Sequence, residues 1–140
     1  ERKVQKALEA EIKKAIDDGF TTFITGMAQG VDIWAGEIVL HYRKKHDIKL
    51  ICACPYEGFE NAWDASWQKR YRKVLEQADL IRYICEHYSK PCFQIRNEWM
   101  VDHSAKVIAV WNGEKSGTKN TVDYANKCGV ELVNIYKHEG

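Results

Sequence analysis

Thr25-Gly26-Met27-Ala28-Gln29-Gly30-Val31-Asp32 is the stretch whose reading decides the fold. An apolar, β-branched run at residues 20–24 enters it, and an amphipathic helical pattern over about residues 33–45 leaves it. The spacing therefore predicts the turn between a buried strand and a helix. Such a turn suits phosphate. Glycine at 26 and 30 admits a positive φ or the close approach of a ligand, while the free N–H groups and positive dipole end of the next helix face an anion. The pattern Gly-x3-Gly-x-Asp is neither the dinucleotide fingerprint Gly-x-Gly-x-x-Gly nor a P-loop.

On the N-terminal side, Val4, Ala7, Leu8, Ile12, Ala15 and Ile16 recur at helical spacing, and Asp17-Asp18-Gly19 stops the helix. A strand usually precedes such a helix in α/β folds, so the expectation is a first strand lost before Glu1. On the C-terminal side, residues 49–54 (KLICAC) read as a buried strand ended by Pro55. A helical pattern over residues 60–77 follows, with Trp63, Trp67, Tyr71 and Val74 as its stripe. Residues 79–84 read as a short strand, 93–104 as a helix and 106–111 (KVIAVW) as a strand. A second loop at residues 112–118 opens a helix to about Cys128, and Gly129 stops it before a last strand at 130–136. Strands alternating with helices predict an α/β, Rossmann-like domain over residues 1–140, with a mostly parallel sheet and helices on both faces. Both glycine-containing turns then fall at the carboxyl edge of that sheet, where open α/β folds hold ligands.

Composition excludes several classes. Twenty-one basic against twenty acidic residues leave a formal charge of +1, which gives no general electrostatic case for nucleic acid. No apolar run approaches the roughly 18 residues of a membrane span. Five cysteines without framework spacing point to reduced thiols and a cytoplasmic location. Cys85, His87 and Cys92 cluster locally, but no fourth ligand has zinc-like spacing, so no metal is expected.

Three ordered motifs, TGMAQGVDIWAGE, RNEWMVDHSAKVIAVWNG and SGTKNTVDYA, resemble the YpsA-like family of the SLOG superfamily over nearly the whole chain. That superfamily also holds the DNA-processing protein of natural transformation and the lonely-guy phosphoribohydrolases. The resemblance implies a domain that binds a nucleotide or nucleotide-derived ligand. Family members usually begin with a strand and a loop resembling Thr-Gly-His-Arg-Pro, which this sequence does not contain. Lonely-guy enzymes carry an Arg, a Met four residues later and a Gly-Thr followed by a Glu. Here Arg96, Met100 and Gly117-Thr118 match, and the Glu position is Asn120. An amide neither accepts a proton as a carboxylate does nor stabilises an oxocarbenium charge, so glycosidic cleavage does not carry over directly. Glu37 and Asp123 are the substitutes in principle.

The expected ligand is a nucleoside monophosphate, ADP-ribose or a dinucleotide, with the protein acting as its sensor or regulator. Gly26, Met27, Ala28 and Gly30 would offer backbone groups to it. Asp32 either accepts ribose hydroxyls or caps the helix. Ser116, Gly117 and Thr118 either clamp phosphate or cap the next helix, and Arg96 either pairs with phosphate or forms a surface ion pair. The Trp63, Trp67 and Tyr71 stripe reads as core rather than a base-stacking platform. The rival readings are an N-glycosidic nucleotide hydrolase and a single-stranded DNA-binding module, nucleic acid being disfavoured by the neutral charge; a homodimer is the family-level expectation.

Overall fold

The computed structural model describes residues 2–136. Its elements run α1 (Arg2–Asp17), β1 (Thr22–Thr25), α2 (Val31–Arg43), β2 (Lys49–Cys54), a 3-10 turn (Phe59–Ala62), α3 (Ala65–Gln77), β3 (Leu80–Tyr83), α4 (Cys92–Asp102), β4 (Lys106–Ala109), α5 (Gly117–Cys128) and β5 (Glu131–Asn134). The alternation is the expected one and the arrangement is α/β and Rossmann-like. β1, β2 and β3 pair in parallel in that order, with Thr25 opposite Cys52 and Cys54 opposite Tyr83. β4 and β5 pair in parallel, with Ile108 opposite Val133. α1, α2 and α3 pack on one another as one layer and α4 against α5 as the other, with strands between them.

Amphipathic periodicity explains the layer of α1 to α3. Leu8, Ile12 and Ala15 of α1 are buried, as are Ile33, Val39 and Leu40 of α2 and Tyr71 and Val74 of α3. All of these but Ala15 meet Leu50, Cys52 and Cys54 of β2, the strand flanked on both sides, in a common apolar core. Gly36 lets α2 approach α3 closely, because a Cβ there would stand 3.0 Å from a Val74 methyl carbon. Gly19 turns the chain from α1 into β1 at a φ of 101°.

The structure departs from the sequence pattern in two places. The helical stripe at 60–77 is broken, because the Asp64 carboxylate accepts the Trp67 N–H (3.1 Å) and the Ser66 hydroxyl (2.8 Å) and so starts α3 afresh. The parallel sheet, expected as one, is hydrogen-bonded in two parts. A groove of about 150 Å³ lies between them, lined by Thr22, Phe23 and Ile24 on one side and Lys106 and Ile108 on the other. Along it Phe23, Ile24 and Ile108 keep partial exposure. The opposite edge is β3, where Leu80 (45%), Ile81 (37%) and Tyr83 (43%) stay exposed.

Candidate functional site

The turn after β1 is shaped by side chains on both sides of it. The Thr25 hydroxyl donates to the Asp32 carbonyl (2.7 Å) and accepts the Met27 N–H (3.4 Å). Asp32 Oδ2 accepts the Ala28 N–H (3.1 Å), which folds the loop back over the first turn of α2. Asp32 thus ties the preceding loop instead of capping its own helix; the N-cap is Gly30, which makes no side-chain cap. Gly30 takes φ 97° and ψ −119°, a conformation that needs glycine.

Gly26 is not at positive φ; that role in the loop falls also to Met27, at φ 60° with its side chain fully buried. Glycine at 26 is required by close approach. A Cβ there would lie 2.9 Å from Asp32 Oδ2, 3.0 Å from Met100 Sδ and 3.1 Å from Arg96 Nη1. Asp32, Arg96 and Met100 therefore converge on one glycine. Arg96 and Met100 sit one turn apart on α4, which aims both at the loop.

Arg96 is only 6% exposed, so the surface ion pair is not its role. Its Nη1 donates to the Gly26 carbonyl and its Nε to Asn97 Oδ1 (2.8 Å). Nη2 makes no hydrogen bond among the described residues, which leaves two N–H groups of a buried cation without a protein acceptor. Burial pushes the Asp32 carboxyl above the usual range, against the pull of the nearby Arg96 charge and the Ala28 N–H.

The second loop is built separately. Ser116 Oγ accepts the Lys119 N–H (3.1 Å), an N-cap on α5. Trp111 braces the loop through Nε1 to the Glu114 carbonyl (2.7 Å), and Asn112 Oδ1 accepts the Glu114 N–H (3.0 Å). Ser116 and Thr118 line a depression of about 330 Å³ with Val110 and Trp111, and Gly117 beside them is exposed, with open space where a Cβ would stand. The structure thus brings Gly26, Met27, Ala28, Gly30, Asp32 and Arg96 into one constellation and leaves Ser116, Gly117 and Thr118 in another. Each follows a parallel strand, and the starts of both strands line the same groove.

Both carboxylates considered as substitutes are engaged elsewhere. Glu37 forms a two-point pair with Arg70 (3.0 and 2.5 Å), and Asp123 pairs with Lys119 at 2.5 Å along α5. The carboxylate beside Arg96 is Asp32. A cavity of about 380 Å³ bordered by Trp34, Glu37, His41 and Arg70 shares no residue with either loop, and Glu37 and Arg70 on its rim pair with each other. Tyr71 is buried with its ring 5.3 Å from Trp63 and perpendicular to it, while Trp67 carries the Arg70 guanidinium over its face at 4.6 Å. The aromatic stripe is accounted for by packing. Among the described residues no helix is long and apolar enough to cross a membrane.

Thr25 and the convergence of Asp32 and Arg96 on Gly26 were not evident from sequence; the one usable signal was the four-residue spacing of Arg96 and Met100. Comparison with known proteins gives the family. The YpsA family model, described as the YspA SLOG family, matches residues 2–136. The chain is 38% identical over 118 residues to the "Uncharacterized SPbeta prophage-derived protein YoqJ" of Bacillus subtilis (strain 168), covering 75% of this chain and 69% of that one. A UPF0398 protein of Halalkalibacterium halodurans is 29% identical over 118 residues, 82% of this chain and 62% of its own length. A UPF0398 protein of Bacillus thuringiensis (strain Al Hakam) is 30% identical over 139 residues, 96% of this chain and 75% of its own. By the extent of the family match and these identities, the chain belongs to the YpsA family of SLOG proteins.

Proposed function

We propose that the chain binds a nucleotide-derived ligand at the turn of residues 26–32 and acts as its sensor or regulator. The observation that carries this reading is Arg96: a buried guanidinium beside a glycine turn, with the N–H groups of Nη2 uncommitted. Asp32 lies near Arg96 without forming an ion pair with it, so an anionic group of a ligand can take the free N–H groups and offset the cost of the buried charge. The first-turn N–H groups of α2 add donors on the same side. Gly26, Met27, Ala28 and Gly30 supply backbone to phosphate or ribose, and Asp32 holds hydroxyls through the oxygen not bound to Ala28. Ser116, Gly117 and Thr118 close on phosphate from the second loop. Five free cysteines fit a protein of the reducing cytoplasm.

A hydrolase is the second reading, favoured by one observation. Asp32 is a carboxylate with a raised pKa next to Arg96, the pairing that N-glycosidic cleavage needs and that Asn120 does not supply.

The test is thermal denaturation of the purified chain with AMP, ADP, ADP-ribose, NAD or short single-stranded DNA, repeated with Gly30→Val and Arg96→Ala. A ligand at a hundredfold its Kd stabilises by about 2.7 kcal/mol. The expected result is a nucleotide that raises the Tm of the parent and of neither variant. Free base in the same mixture moves the assignment to the hydrolase, and a shift with DNA alone overturns both.

A further inference from the structure

We propose that Cys85 and Cys92 are a reversible dithiol–disulfide pair, oxidised by a disulfide of the glutathione class. The connection from β3 to α4 doubles back on the carbonyl of Pro55. That one oxygen receives the Cys85 N–H at 2.9 Å and the Cys92 thiol at 3.1 Å. Both residues are thereby held at one oxygen, Cys85 by its backbone N–H and Cys92 by its thiol, and the Cys92 thiol feels the neighbouring Cys85. Their exposures differ in the sense an exchange reaction needs. Cys85 is partly open to solvent and Cys92 is fully buried.

The remaining thiols lack this arrangement. Cys52 and Cys54 are sealed in the core on β2, and Cys128 is exposed near the end of α5, far along the chain from the pair. A dithiol in a reducing compartment is characteristically transient or redox-sensing, not structural. Burial and the neighbouring Cys85 push the Cys92 thiol up to about 12, so the first attack belongs to Cys85. The Cys85 thiolate attacks one sulfur of the oxidised tripeptide and releases one glutathione thiolate. The Cys92 thiol gives its proton to that thiolate and attacks the Cys85 sulfur, forming the internal bond and expelling the second glutathione. Two electrons pass from the protein dithiol to the reagent, and excess dithiol reverses the reaction.

The pair also has a place from which oxidation is felt. Cys92 opens α4 one turn ahead of Arg96, and its S–H bond to Pro55 is lost when the disulfide forms. The thiol chemistry does not depend on what the loop of residues 26–32 binds.

The test exposes the reduced full chain to oxidised glutathione, quenches by alkylation and maps the tryptic peptides. Residues 83–96 remain on one peptide, because Pro91 follows Lys90. The expected result is the loss of two of the five thiols, both from that peptide, with all five restored by dithiothreitol. Cys92→Ala should stop at a glutathione adduct on Cys85. Cys85→Ser, at the more open position, should leave Cys92 free and keeps the test valid if the buried variant does not fold. Parent protein that stops at the Cys85 adduct, or that oxidises only through Cys128 between copies, overturns the proposal.

Discussion

The Arg96 guanidinium donates to the carbonyl of Gly26, joining residues 70 apart in the chain and bringing α4 against the turn that follows β1. Asp32 closes the arrangement from the other side through the Ala28 N–H. The glycine turn is therefore a tertiary object, held by a helix from the opposite layer, and its response to mutation should differ from that of a free loop.

Gly26→Ala tests the packing. The added carbon would meet Asp32 Oδ2, Met100 Sδ and Arg96 Nη1, all within 3.1 Å, and neither Asp32 nor Arg96 can withdraw without straining its hydrogen bond to the loop. A loss of about 2 kcal/mol in urea denaturation is expected from overpacking of this kind. Gly117→Ala, where nothing stands near the new carbon, should be close to neutral. Equal stabilities for the two variants would refute the convergence on Gly26.

Asp32→Asn separates stability from binding. The folded carboxyl holds its proton more tightly than the unfolded one, because burial outweighs Arg96 and the Ala28 N–H. The folded state then binds more protons, so this group favours folding below its unfolded pKa of about 3.9 and loses that contribution as pH rises through the folded value. Asparagine resembles the protonated form and its oxygen can still accept from Ala28. The variant should melt higher than the parent at pH 7, with the difference shrinking at pH 3, while any nucleotide-induced shift weakens. A lower Tm at pH 7 would show that the Arg96 attraction, not burial, dominates.

Local chemistry was legible in the sequence; convergence across the chain was not. The strand-to-helix turn could be read because apolar period and glycine position are properties of neighbouring residues, and Gly30 does take the positive φ that the turn requires. The stripe from Trp63 to Tyr71 was legible as core for the same reason. Asp64 interrupts that stripe through a cap whose strength the periodicity does not register. Arg96 and Met100 were marked by resemblance, but their meeting at Gly26 depends on the packing of α4. Glu37 and Asp123 were plausible partners until Arg70 and Lys119 were seen to hold them. The break between β1 and β4 had no local signal, since KVIAVW reads as strand whether or not its edge is paired.

Asp79 should show the opposite pH dependence to Asp32. It accepts the Leu50 N–H (2.8 Å) and pairs with Arg43 (2.7 Å), and the backbone bond leads in holding its carboxyl below the usual range. A depressed folded pKa contributes stability that is present above the unfolded pKa, about 3.9, and is lost as pH falls through the folded value. Asp79→Ala should cost about 1 kcal/mol at pH 7, mainly through the unsatisfied Leu50 N–H, because the partly exposed ion pair itself adds little. The difference in Tm between parent and variant should narrow below about pH 4. A deficit that high salt removes would assign the effect to Arg43 instead.

Ser116 carries the remaining ambiguity, since its hydroxyl caps α5 through the Lys119 N–H and is also exposed toward any ligand held by the second loop. Ser116→Ala should cost about 1 kcal/mol as a lost N-cap. Ser116→Asp restores the acceptor and adds a negative charge at the positive end of the helix, so its stability should return to that of the parent or exceed it. The two variants separate under ligand. A hydroxyl that only caps leaves the nucleotide-induced Tm shift unchanged in both. A hydroxyl that donates to phosphate loses the shift in Ser116→Ala and loses more in Ser116→Asp, where the new charge repels the phosphate that the recovered helix would otherwise attract. Recovery of stability without recovery of the shift is the outcome expected if the second loop closes on the same ligand as Arg96.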